Sequence, residues 1–425
     1  MTQRATEDLS KEADDWRKEL TIPVWPTYGK IVKVSRNKAY QSVRAGEVES
    51  IKVGGCIRVL VPPLLRNQFR NLTWVGEQLG AGAIVEPGQG MEARARHGIQ
   101  VLSGDGITEK HIYTHTGWRE IDGRMYFLHA GGALGADGHR SDIEVDLPSQ
   151  LSCHELIEPE NDASLQQAVR RSLLLWHLAP PRVMAAALGA LFRAPIGKSD
   201  ITVGFYGKTG AGKTETAALL QQHFGPGMDA RNLPLAWEST ANTIEDVLSA
   251  GKDVLTVVDE YVPGENSGDR ARLQAKAERV IRAQGNATGR GRMRPDGTLR
   301  RVKPPRGQLL STGEEVPAGQ SLRARMLTVE VRNGDIKWET LSSAQKAAAA
   351  GEYATAMAGY IMWMAPDLKL AGEAFRIKRL QLREDVDAEH KRTADVVAQL
   401  AAAWHIFLAF AVDIGAIDEP QGGSV

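Results

Sequence analysis

The stretch Gly207 to Thr214, GKTGAGKT, matches the pattern G-x-x-x-x-G-K-[ST] at every fixed position. An apolar run, Ile201 to Tyr206, precedes it and predicts a buried strand, while Lys213 to Phe224 has the composition of a helix. A glycine-rich turn between a strand and a helix points its backbone N–H groups and the positive end of the helix at phosphate oxygens. A strand-to-helix turn with an incidental Lys-Thr pair is the alternative, and the flanking elements favour the nucleotide site.

Each residue type in this stretch has an expected role. The Lys213 ammonium should reach the β- and γ-phosphates of ATP, and the Thr214 hydroxyl should bind Mg²⁺. Lys213 and Thr214 thus join the loop residues that should surround the phosphates, namely Gly207, Lys208, Thr209, Gly210, Ala211 and Gly212. The sequence therefore predicts ATP and Mg²⁺ as cofactors.

A second apolar run, VLTVVDEY from Val254 to Tyr261, contains two adjacent acids. Asp259 is expected to hold the metal through its water shell, and Glu260 to act as general base on the attacking water. An acidic turn after a core strand would look the same in isolation. Small-molecule kinases with a phosphate loop often lack the second acid, so Glu260 favours hydrolysis over phosphoryl transfer to a substrate hydroxyl.

Two later segments offer further candidates. RGQLLSTGEE places Ser311 and Thr312 at the end of a third predicted strand, where a hydroxyl can contact the γ-phosphate or the lytic water, or simply cap a turn. SLRARMLTVEV places Arg323 and Arg325 just before another strand. An arginine there can stabilise the transition state in a neighbouring subunit, whereas a solvated pair of arginines is the plainer interpretation.

Alternation of strand and helix signals predicts the fold class, an α/β P-loop NTPase with a parallel sheet and covering helices. Residues 20–150 are rich in glycine and β-branched residues, and residues 1–150 are expected to form a strand-rich α+β domain. Residues 151–335 are assigned to the ATPase domain, including two leading helices. Residues 336–425 are expected to form a helical C-terminal lid region with a frayed tail.

Composition limits the class of protein. The chain is 42% hydrophobic and 24% charged, which excludes wholesale disorder, collagen and a membrane bundle. Two cysteines and a charged stretch over residues 1–30 predict a cytoplasmic protein without a secretory signal. The apolar stretch Val396 to Val412 is interrupted by Gln399 and His405 and is shorter than the ~20 residues of a membrane span. We expect a buried helix there.

The equal numbers of basic and acidic residues, 52 each, conceal a local excess. Between Arg270 and Arg306, twelve Lys or Arg residues stand against two acids, which makes this segment +10 and the rest of the chain −10. The pair Asp296-Gly297 between basic arms predicts a hairpin. A solvated charged face is the common alternative. A phosphate backbone is the favoured partner, contacted by Arg290, Arg292, Arg294, Arg300, Arg301 and Lys303.

The motifs occur in an order that resembles a known family. GKTGAGKT, VLTVVDE, the basic hairpin, QLLSTGEE and SLRARMLTVEV are similar in order to AAA+ ATPases of the helicase kind, close to superfamily III and minichromosome-maintenance helicases. HTGWREIDGRMYFLHAGGALG (from His115), WESTANTIE (from Trp237) and the RAQG to GRGR stretch resemble the primase–helicase-type ATPases of integrative elements, plasmids and phages. The resemblance covers roughly residues 24 to 415.

The resemblance implies an ATP-dependent helicase that forms a hexameric ring on single-stranded or forked DNA, with the hairpin in the pore and a primase or polymerase as a possible partner. It makes Ser311 or Thr312 the first sensor, Arg323 or Arg325 the finger acting on the next subunit, and Arg392 the second sensor. A loader or clamp that binds DNA or protein without unwinding is the alternative, and a P-loop kinase is a weaker one because it leaves the hairpin unexplained. No contact with a membrane is expected.

Overall fold

The structure is a computed structural model that describes residues 21–23, 50–53, 56–60, 111–289, 291, 293, 298–299, 302–386 and 391–418. The chain divides into two compact units, Met1–Lys110 and His111–Val425. In the first unit, strands β1 (Thr21–Pro23), β2 (Ser50–Val53) and β3 (Cys56–Leu60) form an antiparallel sheet in the order β1-β3-β2.

The second unit contains the strands and helices that concern function. Its strands are β4 Ile112–Tyr113, β5 Gly117–Ile121, β6 Arg124–His129, β7 Gly132–Gly135, β8 Gly138–Arg140, β9 Glu144–Val145, β10 Thr202–Tyr206, β11 Leu235–Ala236, β12 Leu255–Tyr261, β13 Gln308–Gly313 and β14 Met326–Glu330. Its α-helices are α1 Asp162–Leu174, α2 Pro181–Arg193, α3 Lys213–Gln221, α4 Ala241–Ala250, α5 Ser267–Asn286, α6 Gln320–Arg323, α7 Trp338–Ala349, α8 Glu352–Met364, α9 Leu368–Asp385 and α10 Lys391–Asp413.

A five-stranded parallel sheet forms the centre of this unit, in the order β11-β12-β13-β10-β14. Every residue of β10 and β13 is buried, as expected for strands covered by helices on both faces. The strand before the phosphate loop, β10, lies between β13 and β14. The carboxyl ends of β10, β12 and β13 therefore meet at one edge of the sheet, where ligands bind in open α/β folds.

The side chain of Gln221 joins the helix after the phosphate loop to strand β12. Among the described strands, β11 pairs with β12 only at Val258 and Asp259, and none pairs with the earlier part of β12 on that side. Gln221 supplies the missing bonds, since its Nε2 donates to the Leu255 carbonyl (2.7 Å) and its Oε1 accepts from the Val257 amide (2.9 Å). These two hydrogen bonds fix the helix after the loop relative to the strand that carries the paired acids.

The antiparallel strands β5 to β8 belong to the same compact unit as the central sheet. The Trp118 backbone amide donates to the Asp253 carboxylate (3.1 Å), and the Trp118 indole donates to the Pro195 carbonyl (2.6 Å). The Thr116 hydroxyl donates to the Lys252 carbonyl (2.8 Å). Residues 111–150 thus pack against residues of the same compact unit as the central sheet, and the domain boundary at residue 150 stays a prediction.

The C-terminal region is helical, as the sequence indicates. Helix α10 extends past the apolar stretch on both sides, and Gly189 of α2 approaches Leu400 closely enough that a Cβ at position 189 would meet its Cβ at 2.8 Å. Among the residues that the structure describes, Arg392–Asp413 is long and apolar enough to cross a membrane by length and composition alone, and 56% of its apolar window is buried inside the protein. The core helix of a globular domain meets the same criteria, so the burial agrees with the expected buried helix.

Candidate nucleotide-binding site

The phosphate loop connects the end of β10 to the start of α3, as expected. Gly210 and Gly212 have φ angles of 80° and 83°, a region that residues with a side chain rarely adopt. A Cβ at Gly212 would also meet the side chain of Ile336 at 2.9 Å. Glycine is therefore required at position 212 for both its backbone angle and its packing.

Lys213 lies at the centre of the loop and is buried, with 8% of its surface exposed. Its ammonium donates to the carbonyls of Gly207 and Lys208, both at 2.8 Å. Burial lowers the pKa of Lys213, and the nearby carboxylates of Glu314 and Asp259 oppose that shift. The ammonium is held inside the loop, at the position from which it can reach a bound phosphate.

Three oxygen-bearing side chains from different elements meet beside the loop. The Thr214 hydroxyl, at the start of α3, donates to Asp259 Oδ1 at 3.0 Å, and the Thr312 hydroxyl of β13 donates to the same carboxylate oxygen. Hard oxygen donors of this kind suit Mg²⁺, which commonly takes one carboxylate and completes its shell with water and phosphate oxygens. The residues present therefore fit the predicted metal.

Glu260 has an unusual backbone conformation. Its φ angle is 67°, in the left-handed region, and the register between β12 and β13 shifts between Val258 and Tyr261. The Glu260 amide donates to the Thr312 hydroxyl at 3.1 Å. This local irregularity leaves Glu260 exposed at the edge of the site rather than buried in the strand ladder.

A cavity of about 410 Å³ joins these groups. It is lined by residues of the loop and α3, by Asp259 and Glu260, by the end of β13, and by Val262 and Trp338. Glu314 is one of the lining residues and accepts a hydrogen bond from the Thr209 hydroxyl of the loop.

Glu314 and Trp338 are among the lining residues that reasoning from the sequence missed. Glu314 stands directly after the strand that carries Thr312, so its position in RGQLLSTGEE was an available signal. Trp338 lies outside every motif, and its place in the cavity depends on how α7 packs.

Ser311 and Thr312, the two candidate residues at the end of β13, have different surroundings in the structure. Consecutive residues of a strand point to opposite faces of the sheet. Thr312 faces Asp259, whereas the Ser311 hydroxyl accepts a hydrogen bond from the Trp237 indole at 2.9 Å and is fully buried. Of the two, Thr312 is therefore the one that lines the cavity.

Arg323 and Arg325 lie at the opposite edge of the sheet. The Thr202 amide, at the start of β10, donates to the Arg325 carbonyl at 3.2 Å. The phosphate loop follows the other end of β10, so the two edges are separated by four steps of ~3.3 Å, or roughly 13 Å. Arg323 ends the short helix α6 and is exposed. Neither arginine is brought to the loop of its own chain.

Arg392 lies beside Arg325 rather than beside the loop. Its guanidinium donates to the Gly285 carbonyl at 2.9 Å, and a Cβ at Gly285 would meet Arg325 Cδ at 2.7 Å. Burial lowers the pKa of Arg325, and the charges of Arg392 and Arg282 lower it further. The charges of Arg325, Arg392 and Arg282 thus lie near one another.

Most of the predicted hairpin lies outside the described residues, including Arg290, Arg292, Arg294, Arg300 and Arg301. Met293 and Leu299 form an antiparallel bridge. Both side chains are exposed, at 67% and 72%. The Lys303 ammonium lies 3.2 Å from an Asp246 carboxylate oxygen, and both groups face solvent.

The order of the central sheet and the loop at the end of β10 define the fold as that of an AAA+-like P-loop NTPase. Residues 163–304, a part of this unit that includes the loop and the paired acids, match a family described as "Domain of unknown function (DUF927)". A comparison with curated proteins found no match.

A solved structure of a mobile-element helicase shares this fold. A structure described as "SCCmec type IV Cch - active helicase" superposes with a TM-score of 0.50 at 15% identity, over 76% of this chain and 60% of that one. The chain thus corresponds to about three fifths of the length of that helicase. The JCV helicase matches 52% of this chain and 64% of its own at 15% identity, but its TM-score of 0.29 is too low to define the fold.

Proposed function

We propose that the protein is an ATPase that acts on DNA as a helicase or translocase. The observation that carries the proposal is the meeting of Lys213, Thr214, Asp259 and Thr312 around one ligand-sized cavity, with Glu260 at its edge. A cavity of about 410 Å³ lies within the range of about 300–1,000 Å³ that is usual for ligand sites.

The residues divide the chemistry of hydrolysis between them. The loop amides and Lys213 bind the β- and γ-phosphates and stabilise negative charge there. Mg²⁺ held by the Thr214 hydroxyl and, through water, by Asp259 would neutralise charge on the same phosphates. Glu260 accepts a proton from the attacking water, whose oxygen bonds to the γ-phosphorus as the bond from that phosphorus to the bridging oxygen breaks.

The edge that carries Arg323, Arg325 and Arg392 is proposed to face the phosphate loop of a neighbouring subunit. Two observations support it: the Arg325 backbone lies roughly 13 Å from the end of β10 that leads into its own loop, and the charges of Arg392 and Arg282 lie close enough to lower the pKa of Arg325 in addition to its burial. An arginine inserted into a neighbour's site adds positive charge where the transition state develops negative charge. A hexameric ring is the assembly that this arrangement favours.

DNA is the proposed track for this motor. The basic segment from Arg270 to Arg306 supports that choice by its excess of positive charge. The structure described as "SCCmec type IV Cch - active helicase" has the same fold and is a helicase by its description. Contacts with the phosphate backbone explain such charge without sequence-specific reading of bases.

The test is a hydrolysis assay with and without single-stranded DNA, followed by strand displacement on a forked duplex. We expect single-stranded DNA to stimulate ATP hydrolysis. The substitution Lys213→Ala should abolish ATP hydrolysis both with and without DNA. Arg300→Ala with Arg301→Ala should weaken DNA binding more than basal hydrolysis, and an equal loss of both would contradict the hairpin's role. Hydrolysis without displacement on forked and tailed substrates would instead indicate a loader or clamp.

A further inference from the structure

Trp338, the first residue of α7, is an exposed aromatic side chain in the cavity of the phosphate loop. It is 55% exposed, whereas Ile336, two residues earlier, is 3% exposed and packs against Gly212. The buried Ile336 side chain therefore fixes this segment beside the loop, and the Trp338 indole, two residues later, lines the cavity. Burying a Trp side chain is favourable, so this exposure leaves one of the largest apolar surfaces of the site available to a ligand.

The contacts made by residues near Trp338 show at which end of the cavity this side chain lies. Among the described residues, Val262 is the other large apolar side chain that lines the cavity, and it follows Glu260 by two residues at the hydrolytic end. Trp338 belongs to α7, which is joined to the loop helix by a hydrogen bond from Gln345 Nε2 to Glu215 Oε2 (2.7 Å). Trp338 lies between two attachments to the loop and α3, the contact of Ile336 with Gly212 and the hydrogen bond of Gln345 to Glu215, whereas Val262 follows the strand that carries the paired acids.

A nucleoside triphosphate also has two different ends, charged phosphates at one and a flat apolar base at the other. Its β- and γ-phosphates belong with Lys213, Thr214 and Asp259, so its base must extend away from the paired acids. The indole of Trp338 is the apolar surface at that end, and aromatic side chains bind bases by stacking with little regard to base identity.

We propose that Trp338 is the stacking surface for the nucleobase of the bound nucleoside triphosphate. The proposal rests on the proposed ATPase function and adds a residue that distinguishes a nucleotide from inorganic polyphosphate. Stacking acts on the base alone, so the contribution of Trp338 should appear for ATP and be absent for tripolyphosphate, which occupies only the phosphate end.

The experiment compares the Mg²⁺ complexes of a non-hydrolysable ATP analogue and of inorganic tripolyphosphate as ligands of the full chain. Trp338→Ala should lower affinity for the ATP analogue about 5- to 100-fold and leave affinity for tripolyphosphate unchanged. Trp338→Phe should retain most of the affinity but lose the quenching of tryptophan fluorescence that the analogue causes in the unaltered protein. Glu339→Ala, at the exposed neighbouring residue that lines a different cavity, is the matched control.

Three results would overturn the proposal. The first is an equal loss of affinity for both ligands in Trp338→Ala, which would indicate damage to the loop. The second is unchanged affinity of Trp338→Ala for the ATP analogue, and the third is full fluorescence quenching in Trp338→Phe. Lys213→Ala distinguishes these failures from a failure of the ATPase proposal, because it should weaken both ligands whether or not Trp338 stacks, and binding unaffected by Lys213→Ala would contradict the nucleotide site itself.

Discussion

The Thr312 hydroxyl accepts a hydrogen bond from the Glu260 amide at 3.1 Å and donates one to the Asp259 carboxylate. One side chain of β13 thus contacts both acids at the end of β12. Glu260 has a φ angle of 67°, a conformation that costs about 1–2 kcal/mol for a residue with a side chain. Thr312 compensates for part of this strain and holds the proposed general base at the edge of the cavity.

Replacement of Thr312 tests this positioning role. Thr312→Val removes the hydroxyl and keeps the shape, so the Glu260 amide loses its acceptor. We expect kcat for ATP hydrolysis to fall about 10- to 100-fold, the equivalent of one hydrogen bond to a charged group, with little change in ATP affinity. Thr312→Ser should restore most of the rate in the same steady-state assay, and an equal defect in both variants would contradict the role.

Glu260→Gln should separate binding from hydrolysis. The amide is isosteric with the carboxylate but cannot accept the water proton, so we expect hydrolysis to fall about 100- to 10,000-fold while ATP still binds. Glu265→Gln, an exposed residue five positions further on, is the control and should hydrolyse ATP normally. Substantial hydrolysis by Glu260→Gln would assign the base elsewhere.

The carboxylate of Glu314 faces the site where negatively charged phosphates are proposed to bind, and it accepts a hydrogen bond from Thr209 of the loop. Removing this charge in Glu314→Gln should raise ATP affinity about two- to fivefold at low salt, the usual size of an exposed charge interaction. The gain should shrink as ionic strength rises. Glu315→Gln, whose carboxylate pairs with Arg270 instead, should show no gain in the same titration.

Mixing experiments test whether Arg325 acts on a neighbouring subunit. Arg325→Ala should bind ATP but lose hydrolysis by about 10³-fold or more, as expected for an arginine finger. Lys213→Ala is also inactive but keeps Arg325. If the two residues act at a shared interface, a mixture of both variants regains part of the activity. A mixture as inactive as its components, in an assembled ring, would argue for action within one chain.

Buried histidines should make the protein sensitive to acid. Burial lowers the pKa of His129, His154 and His223 to about 4. Between pH 6.5 and 4 the unfolded chain binds protons that the folded chain does not, so the free energy of unfolding should decrease as pH falls through that window. Each histidine contributes up to about 3 kcal/mol.

Denaturant unfolding at pH 7 and pH 5 measures this loss. His223→Gln should reduce the difference between the two pH values, because it removes a group that is buried against Tyr353 and bonded to Ser172. His111→Gln, at an exposed histidine, should leave the difference as it is. Stability that is the same at both pH values would contradict the assignment.

The local motifs could be predicted because they depend on residues close together in the chain. The loop from Gly207 to Thr214 and the acids Asp259 and Glu260 follow apolar strands, and parallel strands bring their carboxyl ends to one edge. The meeting of Thr214 and Asp259 at 3.0 Å follows from that rule. The fold class was confirmed for the same reason.

The contacts between residues that are far apart in the chain could not be predicted from the sequence. Alternation along β13 puts Ser311 and Thr312 on opposite faces, but only the pairing of β12 with β13 decides that Thr312 meets Asp259. Arg392 donates to the carbonyl of Gly285, 107 positions earlier in the chain, a contact that no pattern in the sequence indicates, and its role as second sensor stays a prediction.

By itself, the sequence determined the phosphate loop, the paired acids and the alternation of strands and helices, because backbone geometry and burial dictate these over a few residues. The tertiary structure alone decided that Trp338 lines the cavity and that Arg325 and Arg392 share the opposite edge. Those positions depend on how helices pack on the sheet. Packing is set by the fit of many side chains at once, and no local pattern contains that information.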